Sequence, residues 1–471
     1  MYDTPSSPAW PEVTASQVRS QLSTALDRVD TPAKVPTEPS AAAQRAEPPK
    51  RGRGHPVHLP ATQLWLGLLW AIVEHLQGYR PLTRYLATHP LGCFAPVSIT
   101  DSALLQRLQQ AGLDPLHALF AQVGSYLHEV VSPPACSLAP FASCIVALDE
   151  TKLDAVVRRL PWQRQHRLGD PALLAGKLAA LFDIRQQRWL WIHYISDPLR
   201  NCKQEALALL EALPWHSLLL FDLGYFSFPF FDYLTERGYW WISRYREKTH
   251  YQLLHVYYRH QEILDAVVWL GSAHGPRAGY AVRLVRFGDG RQVRMYLTNV
   301  LDPLQLPLGD IARLYARRWD IELAFLTIKE LFGLHHWWSS QLPLILQQLA
   351  LVLLLAQLVQ ALRLRIAAAA GCDPFEVSLP LLVDHLPHLL RERQAPIDWV
   401  LAHGAKLGLL RPSSRLQIQA PSIPEEDLTP LPPDLPLQRR ARYVTYKPRP
   451  KRPSYNKSSS KRRRRAPASS P

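Results

Sequence analysis

Short apolar runs recur between residues 141 and 245, and their order constrains the fold more than any other feature of the chain. Runs of this length, bounded by turn residues, are typical of buried strands. Five such runs and two helical patterns follow one another, namely CIVALDE, AGKLAALFDI, RWLWIHYIS, the helical CKQEALALLEAL, SLLLFDLGYF, the helical PFFDYLTERG and YWWISRY. The order β-β-β-α-β-α-β predicts an α/β fold in which helices cover the faces of a mixed sheet.

Residues 246–308 predict a β-rich insertion into this core. The segment YAVRLVRFGDGRQVRMYLTNV alternates Val, Tyr and Arg on both sides of an Asp-Gly turn, which is typical of a hairpin. Helical periodicity resumes in YARRWDIELAFLTIKE, from Tyr315 to Glu330. We therefore expect the last helix of the core to follow the insertion.

The uncharged run QLPLILQQLALVLLLAQLVQAL is long enough to cross a bilayer. Five glutamines lie in or beside it, no second span accompanies it, and no belt of Tyr and Trp marks both of its ends. The run therefore favours a helix buried against the sheet.

The two ends of the chain differ from the middle in composition. The head is rich in Pro, Ala and Ser, and the tail is Pro-rich and then polybasic, so both predict disorder. Helical periodicity between them and the core predicts a small N-terminal domain. The predicted organisation is a head at 1–60, the helical domain at 61–135, the first part of the core at 141–245, the insertion at 246–308, the final core helix and C-terminal helices at 309–410, and the tail at 411–471.

Charge is concentrated in the tail. The net charge is +15, and thirteen Lys and Arg residues lie between Arg439 and Arg465 with no Asp or Glu among them. Such a polycation suits a polyphosphate partner, because each neutralised phosphate releases condensed counterions. The five cysteines show no CxxC spacing, which argues for a reducing compartment. No apolar leader follows Met1, so we expect a cytoplasmic protein.

Two polar stripes run along the helix from Tyr315 to Glu330. A projection of 100° per residue predicts one solvated stripe, made of Arg313, Arg317, Asp320 and Thr327. The second stripe is made of Tyr315, Arg318, Glu322 and Lys329. Apolar residues flank it on both sides, with Ile321, Phe325, Ile328 and Phe332 on one side and Trp319, Leu323 and Leu326 on the other. This second, enclosed stripe does not read as a solvated face, because a solvated face would not be flanked on both sides by large apolar residues.

Three acids are the candidate catalytic residues. Asp149 and Asp222 each end an apolar strand, and Glu322 lies on the enclosed stripe. Carboxylates brought together from distant segments repel one another unless a cation compensates, and hard oxygen ligands suit Mg²⁺. Two such ions about 4 Å apart are typical of phosphodiester chemistry.

The residues alone leave alternatives open. A strand-terminal Asp is more often a turn residue, and a helical Glu beside Arg318 and Lys329 is more often a salt-bridged surface residue. Three other acids, Glu150, Asp154 and Asp183, compete with Asp149 for its role. A metal-dependent phosphotransfer enzyme is therefore one hypothesis at this stage.

The spacing Tyr315-x2-Arg318-x3-Glu322-x6-Lys329 resembles the Y-R-E-K signature of the insertion-sequence-four group of bacterial DDE transposases. ALDETKL is similar to the strand of that family's first Asp, and LLFDLGYFSFPFFDYLTERGYWWISRYR is similar to the block around its second. The resemblance covers about residues 95–365.

The resemblance implies an RNase H-like fold in which Asp149, Asp222 and Glu322 are both the catalytic triad and the ligands of two Mg²⁺ ions, for which Mn²⁺ substitutes. Tyr315, Arg318 and Lys329 would contact DNA phosphates. The implied activity is nicking at the ends of an insertion sequence and transfer of the freed 3′-hydroxyls to target DNA. The implied partners are double-stranded DNA and a second copy of the chain in a synaptic complex, in the bacterial cytoplasm or on the nucleoid.

Two alternatives remain beside the active transposase. One is a transposase-derived protein that binds DNA without cutting it, and the other is an RNase H-like nuclease without strand transfer. Some relatives form a DNA hairpin in which a flipped base stacks on an aromatic residue. Trp269 and Tyr296 are candidates for that role, but a structural role is favoured for both.

Overall fold

The computed structural model of the protein describes residues 59–130, 139–153, 176–197, 206–207, 209–210, 213–288, 293–334, 336–339, 341–413 and 420–443. The head predicted at 1–60, all but its last two residues, and the basic tail from 444 onward lie outside these residues. Most of the helix predicted from CKQEALALLEAL does so as well.

A nine-stranded sheet forms the centre of the molecule, with the strand order β3-β2-β1-β4-β5-β9-β8-β7-β6. Its strands are β1 Ile145–Lys152, β2 Lys177–Asp183, β3 Arg188–Ile195, β4 Leu218–Phe221, β5 Trp240–Arg244, β6 Tyr251–His260, β7 Ile263–Leu270, β8 Val282–Gly288 and β9 Val293–Thr298. Strands β1, β4 and β5 are parallel neighbours, whereas β2 and β3 run antiparallel. The predicted mixed α/β sheet is confirmed.

The β-rich segment after β5 continues this sheet. Strand β9 pairs antiparallel with β5 through Ile242 and Thr298, and β8, β7 and β6 follow it outward. A buried ion pair joins two of these strands, because the Arg283 guanidinium donates to both carboxylate oxygens of Asp265 at 2.7 and 2.6 Å. Arg283 also donates to the Leu306 carbonyl at 2.6 Å. This contact ties the insertion to the chain just before the next helix.

Alternation along β1 divides its side chains between two cores. Ile145 and Ala147 pack into the core on one face of the sheet, and Val146 and Leu148 pack into the core on the other. Successive side chains of a strand point to opposite faces, so Asp149 lies on the face of Ile145 and Ala147. Asp149 is in the middle of β1 and does not end it, which differs from the prediction.

Helices cover the sheet and extend beyond it. They are α1 Ala61–Val73, α2 Tyr79–Thr88, α3 Asp101–Ala111, α4 Asp114–Val130, α5 Phe228–Glu236, α6 Leu308–Arg317, α7 Trp319–Leu326, α8 Leu342–Ala370, α9 Leu379–Arg391 and α10 Pro396–Leu407. A π-helical turn, Thr327–Leu331, follows α7. Helices α1, α4 and α10 contact α8.

Helix α8 contains the uncharged run. Within the described part of the chain it is the helix that is long and apolar enough to cross a membrane, yet 72% of its most apolar window is buried inside the protein. Three of its four glutamines form hydrogen bonds inside the protein. Gln357 accepts from the Trp189 backbone N–H at 3.0 Å, Gln347 donates to the Leu108 carbonyl at 2.7 Å, and Gln348 donates to the His336 carbonyl at 2.9 Å. These bonds satisfy polar groups that lipid would leave unpaired.

Residues 420–443 differ from the predicted disorder, because they lie along the insertion. The Thr429 backbone N–H donates to the Tyr257 carbonyl at 2.9 Å, and that of Ala281 donates to the Leu437 carbonyl at 2.9 Å. Leucines spaced among the prolines supply apolar contacts for this segment, including Leu428, Leu431 and Leu437. Pro-rich composition alone did not reveal those contacts.

Candidate active site

Asp149 is a carboxylate held largely out of water. Its side chain is 19% exposed, and Oδ1 accepts from the Glu150 backbone N–H at 2.8 Å. Burial raises the pKa of Asp149 to about 6 against the lowering effects of that hydrogen bond and of Arg318. Asp222 and Glu322 raise it further by electrostatic repulsion, so both carboxylates lie near Asp149.

Asp222 reaches the same place from the neighbouring strand. It follows directly on β4, and β4 pairs parallel with β1 so that Phe221 lies opposite Leu148. Asp222 Oδ1 accepts from the Gly224 backbone N–H at 2.8 Å and so caps a short 3-10 helix, Leu223–Tyr225. A Cβ atom on Gly224 would lie 2.8 Å from that same oxygen, so the glycine permits this orientation of the carboxylate.

Glu322 comes from α7 and meets Asp149 through Arg318. Arg318 Nη2 donates to Glu322 Oε1 at 2.6 Å, and Arg318 Nη1 lies 3.5 Å from Asp149 Oδ2. Arg318 is 8% exposed, and its Nε and Nη1 have no hydrogen-bond partner within the described part of the chain. A buried guanidinium with unused donors therefore supplies the counter-charge between two of the acids.

The other two signature residues reach the same edge of the sheet. Tyr315 Oη donates to the Phe221 carbonyl at 3.3 Å, next to Asp222, and its ring lies 4.9 Å from that of Tyr296. Burial raises the pKa of Tyr315 well above its ordinary value, so the phenol stays protonated. Lys329 Nζ donates to the Lys152 carbonyl, at the end of β1, at 2.6 Å.

The helix from Tyr315 to Glu330 differs from a regular α-helix. Helix α6 ends at Arg317, α7 begins at Trp319, and the last turn is π-helical. Ile321, Phe325, Ile328 and Phe332 are buried, as predicted for one side of the stripe. The prediction for the other side of the stripe is wrong, because Trp319 and Leu326 are 49% and 51% exposed.

The prediction that the first polar stripe faces solvent is also wrong in part. Asp320 and Thr327 are buried. Asp320 Oδ2 accepts from Arg317 Nε at 3.0 Å and from Gln187 Nε2 at 2.8 Å, so its charge is satisfied inside the protein. A helical projection cannot distinguish charges that face water from charges that pair with a distant segment.

The competing acids lie elsewhere or outside the described residues. Glu150 is the next residue on β1, and its carboxylate accepts from Lys177 Nζ at 2.8 Å. Asp183 accepts from the backbone N–H groups of Arg185 and Gln186 at 2.8 and 2.9 Å. Asp154 lies outside the described residues. Of the described candidates, Asp149 is the acid beside Asp222 and Glu322.

Arg244 is a residue of the site that the sequence did not single out. It ends β5, whose Ser243 lies opposite Phe221, and it acts electrostatically on Tyr315. A strand that ends on Arg beside a strand that ends on Asp could have indicated it. Trp269 and Tyr296 are both buried, which agrees with the structural role favoured for them.

Carboxylate oxygens are the donors that a magnesium site requires, and the repulsion around Asp149 is what a divalent cation would relieve. As arranged, however, the described residues contain no group of three or more His, Cys, Asp or Glu side chains ready to hold a metal ion. Arg318 lies between Asp149 and Glu322. The donor set fits the cation by its chemistry.

Acids from two parallel strands and one helix, with the Y-R-E-K residues around them, agree with the arrangement that the resemblance to DDE transposases implies. Residues 141–358, a little less than half of the chain, match the family model of the transposase DDE domain. The predicted recognition, a DDE transposase of the insertion-sequence-four type, is confirmed.

A curated relative in Escherichia coli (strain K12) is the transposase InsG for insertion sequence element IS4. It is 23% identical over 253 residues, which cover 49% of this chain and 53% of the relative. The chain thus spans about half the length of that relative. A solved piggyBac transposase synaptic complex with hairpin DNA is similar at 10% identity and a TM-score of 0.37, covering 77% of each chain. A likeness that weak carries no argument.

Proposed function

We propose that the protein is a transposase that nicks DNA at the ends of an insertion sequence and transfers the 3′-hydroxyl ends to target DNA. The observation that carries this proposal is that Asp149 and Glu322 share the buried Arg318, while Asp222 follows Phe221, which lies opposite Leu148 on the strand of Asp149. Carboxylates of one charge gathered in a poorly solvated place destabilise the protein, and such sites are typical of function.

The core is proposed to be RNase H-like. Strands β3, β2, β1, β4 and β5 are neighbours in this order, the first three antiparallel and the last three parallel. This arrangement supports the proposal because it brings Asp149 and Asp222 to one sheet edge, where Glu322 meets them from α7. The β-rich segment at 246–308 then separates β5 from the helices that carry the signature.

Asp149, Asp222 and Glu322 would hold the divalent cations, two Mg²⁺ ions with Mn²⁺ as a substitute. Bound there, the cations would activate a water or hydroxyl nucleophile and stabilise the leaving oxygen. The chain's own residues orient the carboxylates, since backbone N–H groups of Glu150 and Gly224 hold one oxygen of each Asp.

Tyr315, Arg318 and Lys329 are proposed to bind DNA phosphates. Arg318 has unused donors in the described structure, and a guanidinium fork binds phosphate oxygens in a bidentate manner. Tyr315 is protonated and can donate, and Lys329 supplies a further positive charge. These groups would position the phosphate against the three acids.

The proposed partners are the duplex ends of the element, target DNA and a second copy of the chain. The helices at 61–135 are the proposed reader of the terminal sequence, through the major groove. The proposed location is the bacterial cytoplasm, with association to the nucleoid on DNA. One observation favours the alternative of DNA binding without cleavage, because Arg318 pairs with two of the three acids.

Nicking separates these two functions. Purified full-length protein is incubated with a labelled duplex that carries the element's ends, with either Mg²⁺ or EDTA. We expect nicks with Mg²⁺ alone from the wild type, and binding without nicks from Glu322→Gln, which keeps the shape of the side chain and removes its charge. Binding by wild-type protein that never nicks these ends would establish the alternative.

A further inference from the structure

Residues 420–443, here called the C-terminal strap, pack on the insertion through both backbone and side chains. Tyr280 and Gln438 form one antiparallel bridge, and Arg277 and Arg442 form another. The Arg439 backbone N–H donates to the Gly279 carbonyl at 2.8 Å. The strap thus runs beside residues 277–281 in the manner of an added strand.

Arg439 holds the strap against strand β7 and the segment that follows it. Its guanidinium lies 4.5 Å from the centroid of the Trp269 ring. Arg439 Nε donates to the Ala278 carbonyl at 3.0 Å, and Nη2 donates to that of Leu270 at 2.6 Å. Because cation–π contact and hydrogen bonds hold it here, Arg439 is occupied with the fold.

Tyr443 fixes the end of the strap to helix α5. Its Oη donates to Asp232 Oδ2 at 2.7 Å. Asp232 also accepts from the backbone N–H groups of Gly279 and Tyr280, at 2.7 and 3.3 Å. The main acid beneath the strap is therefore engaged in hydrogen bonds with the fold.

The C-terminal end of the strap, residues 439–443, is positive on its outer side, whereas the acids of the strap, Glu425, Glu426, Asp427 and Asp434, lie earlier in it. Arg440 and Arg442 are exposed, and Arg277 lies between them and the insertion, where its Nε donates to the Arg440 carbonyl at 3.0 Å. Among the described residues, none of these three arginines forms an ion pair with a carboxylate. Ten more Lys and Arg residues and no acid follow between residues 444 and 465.

We propose that the outer side of the strap's C-terminal end, residues 439–443, forms together with Arg277 a docking surface for the phosphate backbone of duplex DNA. The surface leads into the polybasic run, so the run would begin from a fixed point on the insertion. This inference rests on the proposed function for its choice of DNA as the partner. It adds a backbone contact region outside the three acids and the Y-R-E-K residues.

Charge and spacing support a nucleic-acid partner. Arg440 and Arg442 are two residues apart in an extended segment, which places them roughly 7 Å from each other. Successive phosphates along one DNA strand are separated by a similar distance, and binding of this type requires no particular base sequence. An acidic protein could satisfy the charge as well, so the test includes that outcome.

The test uses full-length protein and a random-sequence duplex in EDTA, so that cleavage plays no part. Binding is measured by fluorescence anisotropy between about 50 and 200 mM KCl for wild type and for the double variant Arg440→Gln/Arg442→Gln. Each lost phosphate contact reduces the slope of log K against log salt by about 0.9, so we expect a slope smaller by about 1.8.

The matched control is Lys406→Gln/Arg411→Gln, which removes two exposed charges from α10 and the segment just after it. We expect its slope to equal that of the wild type. An unchanged slope for the strap variant, or an equal fall in both variants, would overturn the proposal. So would a strap variant that loses affinity for polyglutamate while keeping its affinity for DNA.

Hydrogen exchange provides a second readout that does not depend on substitutions. The backbone N–H groups of Ala281, Arg439 and Arg442 bond across the junction between strap and insertion. Added duplex should slow their exchange, and no slowing at saturating DNA would contradict docking at this place. A protein that shows the slope change and never nicks its element's ends would refute the proposed function and leave this surface intact.

Discussion

Replacing Asp149 by Asn should stabilise the protein, which is the opposite of what a structural aspartate would do. Burial raises the pKa of Asp149 to about 6 from an ordinary 3.8. The charged form is therefore disfavoured in the folded protein. Asn has nearly the same shape and can still accept the hydrogen bond from the Glu150 backbone N–H.

The magnitude follows from linkage. The folded state holds the proton more tightly than the unfolded state, so stability falls as pH rises from about 4 to about 6 and then levels off. A difference of about two pH units at 1.36 kcal/mol each corresponds to about 3 kcal/mol. We expect Asp149→Asn to raise the free energy of unfolding by about that amount at pH 8 and to lose most of this gain by pH 4.

Urea unfolding in EDTA at pH 8 and near pH 4 measures both quantities. The matched control is Asp265→Asn, a fully buried aspartate that pairs with Arg283. Removing one partner of a buried pair strands the other charge, so this variant should lose about 3–5 kcal/mol. An Asp149→Asn protein less stable than wild type at pH 8, or a gain independent of pH, would refute the reasoning.

Three further substitutions probe the site. Tyr315→Phe removes the hydrogen bond from Oη to the Phe221 carbonyl. It should lower the free energy of unfolding in urea by about 1 kcal/mol and also weaken binding to end DNA. A loss of stability with unchanged DNA binding would show that Tyr315 does not contact phosphate. Gly224→Ala should rotate the Asp222 carboxylate, because the added Cβ would lie 2.8 Å from Oδ1. The rate of nicking should fall while DNA binding is unchanged. Nicking at the wild-type rate would show that this orientation of the carboxylate is unimportant. Lys329→Gln should weaken binding to end DNA and reduce its salt dependence by about 0.9 in slope, and an unchanged slope would assign Lys329 to its Lys152 contact alone.

Local patterns predicted much of the fold. Apolar runs of strand length gave the core strands, because strands buried on both faces need continuous apolar sequence. The stripe of Tyr315, Arg318, Glu322 and Lys329, which is enclosed on one side only, gathers at the ends of β1 and β4, since side chains three, four and seven apart share a helical face.

Contacts between residues far apart in the sequence were not predicted. Asp320 reads as solvated but pairs with Gln187, and Trp319 reads as part of a wall but is exposed. The strap has the composition of a disordered segment, and its order depends on the distant Trp269 and Asp232. No local pattern encodes such partners.

The phosphate contact of Arg318 stays a prediction, and its contact with Asp149 was not predicted. The sequence indicated a phosphate contact, whereas the structure has the guanidinium beside Asp149 and Glu322. Arg318 lies between two acids because β1 meets the segment that joins α6 and α7. The spacing of residues within one helix does not predict that contact.

The central claim is that three carboxylates share divalent cations to cut DNA. The metal specificity of nicking tests this claim most directly. A thiolate in place of a carboxylate binds Mg²⁺ poorly and softer Mn²⁺ better. We predict that Asp222→Cys does not nick end DNA with Mg²⁺ and recovers nicking with Mn²⁺, while wild type uses both ions and is inactive in EDTA. Nicking by wild type in EDTA, or by Asp222→Cys with Mg²⁺ at the wild-type rate, would contradict the claim.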